Sequence, residues 1–341
     1  MQKSARLMGS FMPEGLLCDW QELDNKIEAF RLFQYADREL QAPPVAPALA
    51  PFRAIWVLEG AGHLAGLSSS LAGQGLLTDG DAASLPEPAM VPLHAGMGTA
   101  FAERLFGALV AKPSTHQIRN TVQRFLDACR ANCRPGWEDA CIEPVGLVVR
   151  CLYPNLLAPV SEAMDLLDPA LRALFWHGVG RGLYFVPTNF LPLTGARERM
   201  LKSAAQESSD MNDRRNVLAG LIWAVTLVNL RQPAVIRSLI PACSDMQIRS
   251  EFNNGLISAL LAWRHMAPED ERHIAVYTRP PSTNGREGFV WTDWIETPAR
   301  DALQNIFPGL QQRNRIPALY TYRTSEELHK LSAARSRTRH A

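Results

Sequence analysis

One stretch of the chain, residues 173–185, places ionisable side chains inside an otherwise apolar sequence, A-L-F-W-H-G-V-G-R-G-L-Y-F. If this stretch is a helix, His177, Arg181 and Tyr184 lie on one face, because positions three and four apart are neighbours. A charge buried between helices costs several kcal/mol unless it is paired or functional. We therefore look for a site here first.

Similar residues occur in three earlier apolar segments. Glu59, His94, Glu143 and Arg150 each have a glycine three or four positions away, which in a helix lies on the same side. Glycine has no side chain and so permits close helix packing. If these segments pack together, we expect their ionisable groups to point into one shared interior.

Such an interior has the components for proton transfer. Arginine can hold a carboxylate and lower its pKa, while a histidine in an apolar wall stays neutral and acts as a base near pH 7. With Glu59 or Glu143 as acid and Tyr184 as hydroxyl donor, we predict acid–base catalysis on a polyene or carbonyl compound. The predicted catalytic residues are His177, Arg181, Tyr184, His94, Glu59 and Glu143.

The predicted substrate-binding residues are Trp56, Trp176, Phe185, Trp223 and Arg150. We predict no cofactor: the chain has no P-loop or G-x-S-x-G elbow, and no motif accompanies His94 and His177 as haem or metal ligands. The structural alternative is that the ionisable residues form buried salt bridges that fix the register of the helices.

Two other motifs are weaker. G-A-G-H-L-A at residues 60–65 matches the nucleotide fingerprint G-x-G-x-x-A, but a loop follows where a second strand and an acid are required. Cys129, Cys133 and Cys141 lie close in sequence without a C-x-x-C pair. We predict buried thiols there and not a metal site.

The composition indicates an ordinary globular chain. Of its 341 residues 47% are hydrophobic and 20% charged, and 35 Lys and Arg face 34 Asp and Glu. A near-neutral chain has no field to attract nucleic acid or an anionic membrane, so we expect neither as a partner. The start resembles no signal peptide, and the longest apolar run, residues 217–230, is too short to span a membrane. We expect a cytoplasmic protein with reduced cysteines.

The elements that must position the site are predicted to be helices. Apolar segments of helical length alternate with breaks rich in Pro, Gly, Asp and Asn. We predict an all-α fold, a stacked helical-repeat-like array of helix pairs with glycine-mediated packing. The clearest strand candidates are residues 274–278 and 288–291, which form either a hairpin or no regular structure.

Four regions follow from the composition along the chain. They are an N-terminal helical hairpin (1–40), a proline-rich connector (41–51), the helical repeat-like body (52–330) and a basic, disordered tail (331–341). Helix starts are expected at Ser114 and Asp168, because Ser and Asp accept hydrogen bonds from the first helical amides. Trp291, Trp294, Arg300, Tyr320 and Tyr322 are expected to cap the last repeat or to face a partner.

Five motifs in order resemble a known family: E-G-A-G at Glu59, L-H-A-G-M-G-T-A at Leu93, C-R-P-G-W at Cys133, F-W-H-G-V-G-R-G-L-Y-F at Phe175 and L-A-G-L-I-W-A-V-T-L-V-N-L-R at Leu218. This is the UnbL-type family, also called domain of unknown function 1702, which is associated with enediyne polyketide gene clusters of bacteria. The resemblance covers most of residues 52–322. His63 and Thr99 depart from its pattern, which implies a pocket of different shape.

The resemblance implies a role in building or tailoring a hydrophobic secondary metabolite, and it supplies no agreed catalytic residue. Together with the ionisable residues, it predicts a cofactor-free acid–base catalyst acting on a polyene or enediyne-type intermediate in a buried pocket. The alternative is a non-catalytic helical scaffold that binds a partner protein of the pathway. An exposed apolar groove would favour the scaffold, and a cavity with a polar centre would favour the catalyst.

Overall fold

A computed structural model describes residues 14–39, 51–71, 73–191, 195–280 and 285–333. Every regular element in these ranges is helical, so the predicted all-α class is confirmed. The strand candidates at residues 274–278 and 288–291 are wrong, because both lie in helices. Ile274 and Tyr277, three positions apart, are both buried, which requires a helical face and not an alternating strand.

The helices are, in chain order, α1 (Glu14–Glu39), α2 (Pro51–Ser68), α3 (Met90–Gly107), α4 (Thr115–Asn132), α5 (Glu138–Ile142), α6 (Pro144–Leu152), α7 (Leu157–Leu167), α8 (Pro169–Phe185), α9 (Pro187–Phe190), α10 (Ala196–Gln206), α11 (Met211–Val228), α12 (Pro233–Arg237), α13 (Ile240–Asp245), α14 (Arg249–Met266), α15 (Glu271–Thr278), α16 (Arg286–Trp291), α17 (Thr297–Asp301), α18 (Phe307–Gln312) and α19 (Ser325–Ala333). Two π-helical turns (Thr292–Glu296 and Ala302–Ile306) and four 3₁₀ turns (Gly80–Ser84, Glu87–Ala89, Pro154–Leu156 and Ile316–Tyr320) complete the described elements.

Six inner helices, α2, α3, α6, α8, α11 and α14, pack each against the next in chain order. Glycines lie where they meet. A Cβ atom on Gly96 would lie 1.8 Å from the backbone oxygen of Glu59, and one on Gly180 would lie 2.0 Å from that of Val217. No side chain fits at these distances, so the predicted glycine-mediated packing is present. The division of the helices into repeating pairs stays a prediction.

The row of inner helices closes on itself. The ring of Phe52 on α2 lies 6.1 Å from that of Trp263 on α14, and α14 also contacts α3. His265 of α14 makes a further link through a 3.2 Å hydrogen bond from Nε2 to the backbone oxygen of Glu87. The first and last inner helices therefore meet, and side chains from several helices can point into a common interior.

Both predicted helix starts are confirmed. Ser114 forms a capping box with Gln117, and the Asp168 side chain accepts a 2.9 Å hydrogen bond from the Ala170 amide. The α2 helix runs unbroken through residues 60–65, so the nucleotide-fingerprint alternative is wrong: its glycines lie inside a helix and not in a strand-to-helix turn. None of the helices in the described ranges is long and apolar enough to cross a membrane.

Of the predicted N-terminal hairpin, the structure describes residues 14–39, which form the single helix α1 packed against α2. The connector at 41–51 lies outside the described residues except for Pro51, which begins α2. The tail at 331–341 is described only to residue 333, the end of α19. These three regions stay predictions.

Candidate functional site

Helix α8 carries the centre of the site and is held unusually close to its neighbours. A Cβ on Gly178 would lie 2.1 Å from the Glu143 backbone oxygen, and one on Gly220 of α11 would lie 2.0 Å from that of His177. The backbones of α6, α8 and α11 are therefore in direct contact. This proximity lets a carboxylate at the start of α6 reach side chains one turn apart on α8.

Glu143 bridges the two ionisable residues of α8. His177 Nδ1 donates to Glu143 Oε1 at 2.6 Å, and Arg181 Nη1 donates to Glu143 Oε2 at 2.5 Å. The side chains of His177 and Glu143 are completely buried. Burial alone raises the pKa of Glu143, but Arg181 and His177 outweigh it and lower the pKa below the ordinary value. Glu143 is therefore a buried carboxylate.

Glu59 of α2 is the second acid beside Arg181. Its Oε1 lies 3.6 Å from Arg181 Nη2, and its side chain keeps 13% exposure. Burial raises the pKa of Glu59, Glu143 raises it further, and Arg181 only partly opposes them. We call Glu59, Glu143, His177 and Arg181 the pocket cluster. Within it one acid is held ionised and the other is shifted towards its protonated, proton-donating form.

A pocket of about 380 Å³ lies over this cluster. Its aromatic wall consists of Phe30, Phe33, Trp56, Phe185 and Trp223, and aliphatic residues of α6 and α11 complete it. The charged lining side chains are Glu59, Glu103 and Arg181. His177 and Glu143 do not line the pocket and lie behind Arg181. Of the two carboxyl groups in the pocket cluster, only that of Glu59 lines the pocket, and we call its position the pocket floor.

Trp223, which also lines the pocket, and Tyr320 pack against the cluster. The Arg181 guanidinium lies 4.7 Å from the centre of the Trp223 ring, and the His177 ring lies 6.3 Å from that of Tyr320. Several buried polar atoms here have no hydrogen-bond partner in the protein: His177 Nε2, Arg181 Nε, Trp56 Nε1, Trp223 Nε1 and Tyr320 Oη. Such atoms are costly in a folded core, and others lie elsewhere in the described residues, among them Arg215 Nε and His265 Nδ1.

His94 does not belong to the site, which corrects the prediction from sequence. Its Nδ1 donates to the backbone oxygen of Met90 at 2.7 Å, and its Nε2 accepts from the Arg134 amide at 3.1 Å. The ring stacks on Trp137, with 5.9 Å between centroids. Burial lowers the pKa of His94 to about 4. His94 is a neutral histidine that connects α3 to the loop after α4.

Tyr184 also lies away from the pocket. Its hydroxyl accepts from Asn229 Nδ2 at 2.7 Å, and its ring lies 3.9 Å from Lys26 Nζ. Lys26 pairs with Glu22 at 3.2 Å, and Glu22 pairs with Arg197 at 2.7 Å. We call Glu22, Lys26, Tyr184, Arg197 and Asn229 the α1 cluster. These contacts attach α1 to α8 and α10. Tyr184 does not line the pocket, so it is not the hydroxyl donor that we predicted.

Two of the predicted substrate-binding residues have structural partners instead. Arg150 Nε donates to Glu207 Oε1 at 2.6 Å, which joins the end of α6 to the end of α10. Trp176 Nε1 donates to Ser161 Oγ at 2.9 Å between α8 and α7. Trp56, Phe185 and Trp223 do line the pocket. The faces of α6 and α8 that carry Arg150 and Trp176 point to neighbouring helices.

Sequence reasoning did not find four residues near the site. Phe30 and Phe33 line the pocket from α1, and Glu103 lines it from α3. Tyr320, expected to cap the last repeat or face a partner, is instead fully buried beside His177. Glu103 had a sequence signal, since it follows Thr99 by one helical turn on a helix already singled out. The other three come from distant parts of the chain.

The three neighbouring cysteines behave as buried thiols. Cys129, Cys133 and Cys141 are all free and buried, and burial raises the pKa of each. In the described ranges no group of three or more His, Cys, Asp or Glu side chains is arranged to hold a metal ion. Of the carboxylates beside Arg181, only Glu59 lines the pocket, and one carboxyl group next to a guanidinium suits proton transfer better than metal binding.

No family model matches the chain, and no curated protein or solved structure is significantly similar to it. The resemblance to the UnbL-type family therefore stays a prediction from motifs. The fold and the site define a class by themselves: an all-α protein with an aromatic-walled pocket over a buried acid–arginine–histidine cluster.

Proposed function

We propose that the protein is a cofactor-free acid–base catalyst that binds a hydrophobic polyene in this pocket and moves a proton through Glu59. The observation that carries the proposal is the Glu59 carboxyl group, shifted towards its protonated form, at the floor of an apolar pocket. The pocket has a size typical of small-molecule sites, roughly 300–1,000 Å³. By the motif resemblance, we place this activity in cytoplasmic secondary metabolism of bacteria, on an enediyne-type or related polyketide intermediate.

The proposed reaction balances within the substrate and Glu59. The Glu59 proton adds to one carbon of a double bond, whose electron pair forms the new C–H bond and leaves a positive charge on the neighbouring carbon. The Glu59 carboxylate then removes a proton from the next carbon, and that C–H pair becomes the shifted double bond. General acid–base help of this kind contributes about 10²–10⁴-fold to the rate.

The other cluster members act on Glu59 from behind. Arg181 lies 3.6 Å from Glu59 and stabilises the carboxylate that forms when the proton leaves. Glu143 fixes Arg181, and His177 fixes Glu143 through its Nδ1 hydrogen bond. Glu143 and His177 are positioning residues in this proposal, because neither reaches the pocket.

Deuterium uptake tests the proposal without a known substrate. A hydrophobic extract of producing cells is incubated with the protein in D₂O and analysed by high-resolution mass spectrometry. We expect at least one compound to gain deuterium with the wild-type protein, and uptake with Glu59→Gln to fall about 10²-fold or more. Glu326→Gln, an equal charge change at a highly exposed side chain, serves as the matched control. Absence of wild-type uptake, or equal uptake with Glu59→Gln, would contradict the proposal.

A second candidate function, docking of a pathway protein, is favoured by one observation. Trp20, Ile27 and Phe30 form an exposed apolar stripe on α1, at positions seven and three apart. Variants tested in cells that make the product distinguish the two functions. Leu147→Trp fills the pocket wall and stops a catalyst, whereas Trp20→Ser with Ile27→Ser stops only a docking scaffold. Loss of product with the Trp20→Ser and Ile27→Ser double variant, but not with Leu147→Trp, would establish the scaffold.

A further inference from the structure

The charges around the pocket do not balance. Of the three charged lining side chains, Arg181 is already neutralised by buried Glu143 at 2.5 Å and lies against the Trp223 ring. Glu59 lies 3.6 Å from the same guanidinium, and burial raises its pKa, so Glu103 is the lining acid without an arginine beside it. Glu103 accepts from His63 Nε2 at 2.9 Å, and its side chain keeps 35% exposure. Around the ligand space, acids thus outnumber uncompensated cations.

The other polar atoms of the lining also accept more readily than they donate. The Thr99 hydroxyl donates to the Ala95 backbone oxygen at 2.9 Å, so its lone pairs remain available. The unpartnered N–H groups of Trp56 and Trp223 have almost no accessible surface, although their rings line the pocket. A carboxylate or phosphate entering this space would lose its water and meet one lining guanidinium, that of Arg181, which already faces Glu143 at 2.5 Å and Glu59 at 3.6 Å.

The aromatic wall strengthens the same preference. Phe30, Phe33, Trp56, Phe185 and Trp223 surround the ligand space, and aromatic faces carry negative charge density. A cation within about 6 Å of such a face is attracted to it, most strongly by tryptophan. Arg181 already uses the face of Trp223. The remaining rings of the wall are therefore the ones that a bound cation contacts.

We infer that the pocket selects a hydrophobic ligand that carries a positive charge, or gains one when Glu59 protonates it, over a neutral or anionic ligand of equal size. The inference rests on the proposed function in using the same pocket and, for a ligand that gains its charge during the reaction, the same proton donor. Its two sources of charge are a ground-state amine and a carbocation formed during the reaction. Both are stabilised by the same surroundings: the Glu103 carboxylate, the Glu59 carboxylate once its proton has left, and the aromatic faces of the wall.

Calorimetric titration of the full chain with decyltrimethylammonium, decanol and decanoate tests the inference, because the three probes share one alkyl chain. We expect the ammonium compound to bind at least 10-fold more tightly than the alcohol, and the carboxylate most weakly. Glu103→Gln and Trp56→Leu should each reduce the preference for the ammonium probe over decanol, whereas Glu326→Gln should not. Equal binding of the three probes, or tighter binding of decanoate, would overturn the inference.

The two charge sources separate in the deuterium experiment. If the charge arises during the reaction, decyltrimethylammonium should suppress Glu59-dependent deuterium uptake in proportion to its occupancy. If the ligand is an amine, the ammonium preference persists and a basic compound is retained from the extract. Failure of the inference is also distinct from failure of the proposed function. Equal probe binding with Glu59-dependent uptake rejects the inference alone, while ammonium preference without uptake rejects the catalyst alone.

Discussion

The pocket cluster and the α1 cluster are both buried, and both combine acids with cations, yet they differ in how completely they are paired. In the α1 cluster, Glu22 is shared by Lys26 and Arg197, and Lys26 also donates to the Asn189 backbone oxygen at 2.9 Å. In the pocket cluster, His177 Nε2 and Arg181 Nε have no partner in the protein. Both clusters border cavities, of about 320 Å³ beside the α1 cluster and about 380 Å³ over the pocket cluster.

This difference supports the catalytic role that we propose for the pocket cluster. A buried polar atom without a partner costs about 1–3 kcal/mol, and the pocket cluster keeps two such atoms. The α1 cluster stabilises the attachment of a helix and needs no other explanation. Burial alone does not separate the two clusters, because Tyr184 and His177 are equally buried. The clusters differ instead in whether their individual polar atoms have hydrogen-bond partners.

Glu143→Ala should have the largest effect. The change leaves Arg181 and His177 buried without their shared carboxylate, and loss of one partner of a buried ion pair costs about 3–5 kcal/mol. Urea unfolding measures the loss. As a control, Glu143→Leu with Arg181→Met removes both charges and should recover most of that stability while Glu59-dependent deuterium uptake is lost. A double variant as unstable as the single one would show that the cluster has a structural role.

His94 provides a pH test of a fully partnered group. Because burial lowers its pKa to about 4, the unfolded chain binds one more proton than the folded chain between about pH 4 and 6.5. His94 therefore destabilises the fold as the pH falls through this window, by on the order of 3 kcal/mol. We expect His94→Gln to lose this part of the pH dependence in urea midpoints between pH 7 and 4. Parallel curves for the two proteins would contradict the assignment.

Lys26→Met should have a smaller effect, of about 1–2 kcal/mol, because Glu22 keeps Arg197 and methionine fills a similar volume. Binding of decanol should remain, since Lys26 does not line the pocket over Glu59. Urea unfolding and calorimetry measure both quantities. If the variant loses decanol binding while its stability is unchanged, the α1 cluster shapes the pocket and is not purely structural.

Glu59→Gln should have the smallest effect on stability. An acid whose folded pKa is raised binds more protons in the folded state, so its contribution to stability falls as the pH rises above its unfolded pKa, about 4.3. Glu59→Gln has no ionisable group at residue 59 and so does not lose this stability as the pH rises. Its stability relative to wild type should therefore increase with pH, and at pH 7 it should be at least as stable. Thermal unfolding from pH 4 to 8 checks this trend, and the opposite slope would place a structural carboxylate at residue 59.

The helices and their glycine contacts could be predicted because both depend on local spacing. A glycine three or four positions from Glu59 or Glu143 specifies which side of a helix a neighbour approaches. Those contacts then brought Glu59, Glu143, His177 and Arg181 together as expected. Packing against neighbouring helices decided the structure of residues 271–278 and 286–291, where helical burial prevailed over the strand-like composition of short segments.

The errors at His94 and Tyr184 have a common cause. Spacing gives the direction of a side chain around its own helix, but not its height along the bundle or the partner that it meets. His94 lies near the start of α3 and is captured by the Arg134 amide, while Tyr184 lies near the end of α8 under Lys26. Phe30, Phe33 and Tyr320 were missed because their proximity depends on contacts between parts of the chain far apart in sequence.

The uncharged residues that enclose the pocket and the residues that carry its charges come from different parts of the chain. Helix α1 contributes Ala29, Phe30 and Phe33, all uncharged, whereas the acid and the guanidinium come from α2 and α8. In the catalyst that we propose, a change in α1 would therefore alter the length or shape of the molecule admitted and leave the proton donor untouched. Exchange of this one helix would change the range of substrates while Glu59 and Arg181 stay in place.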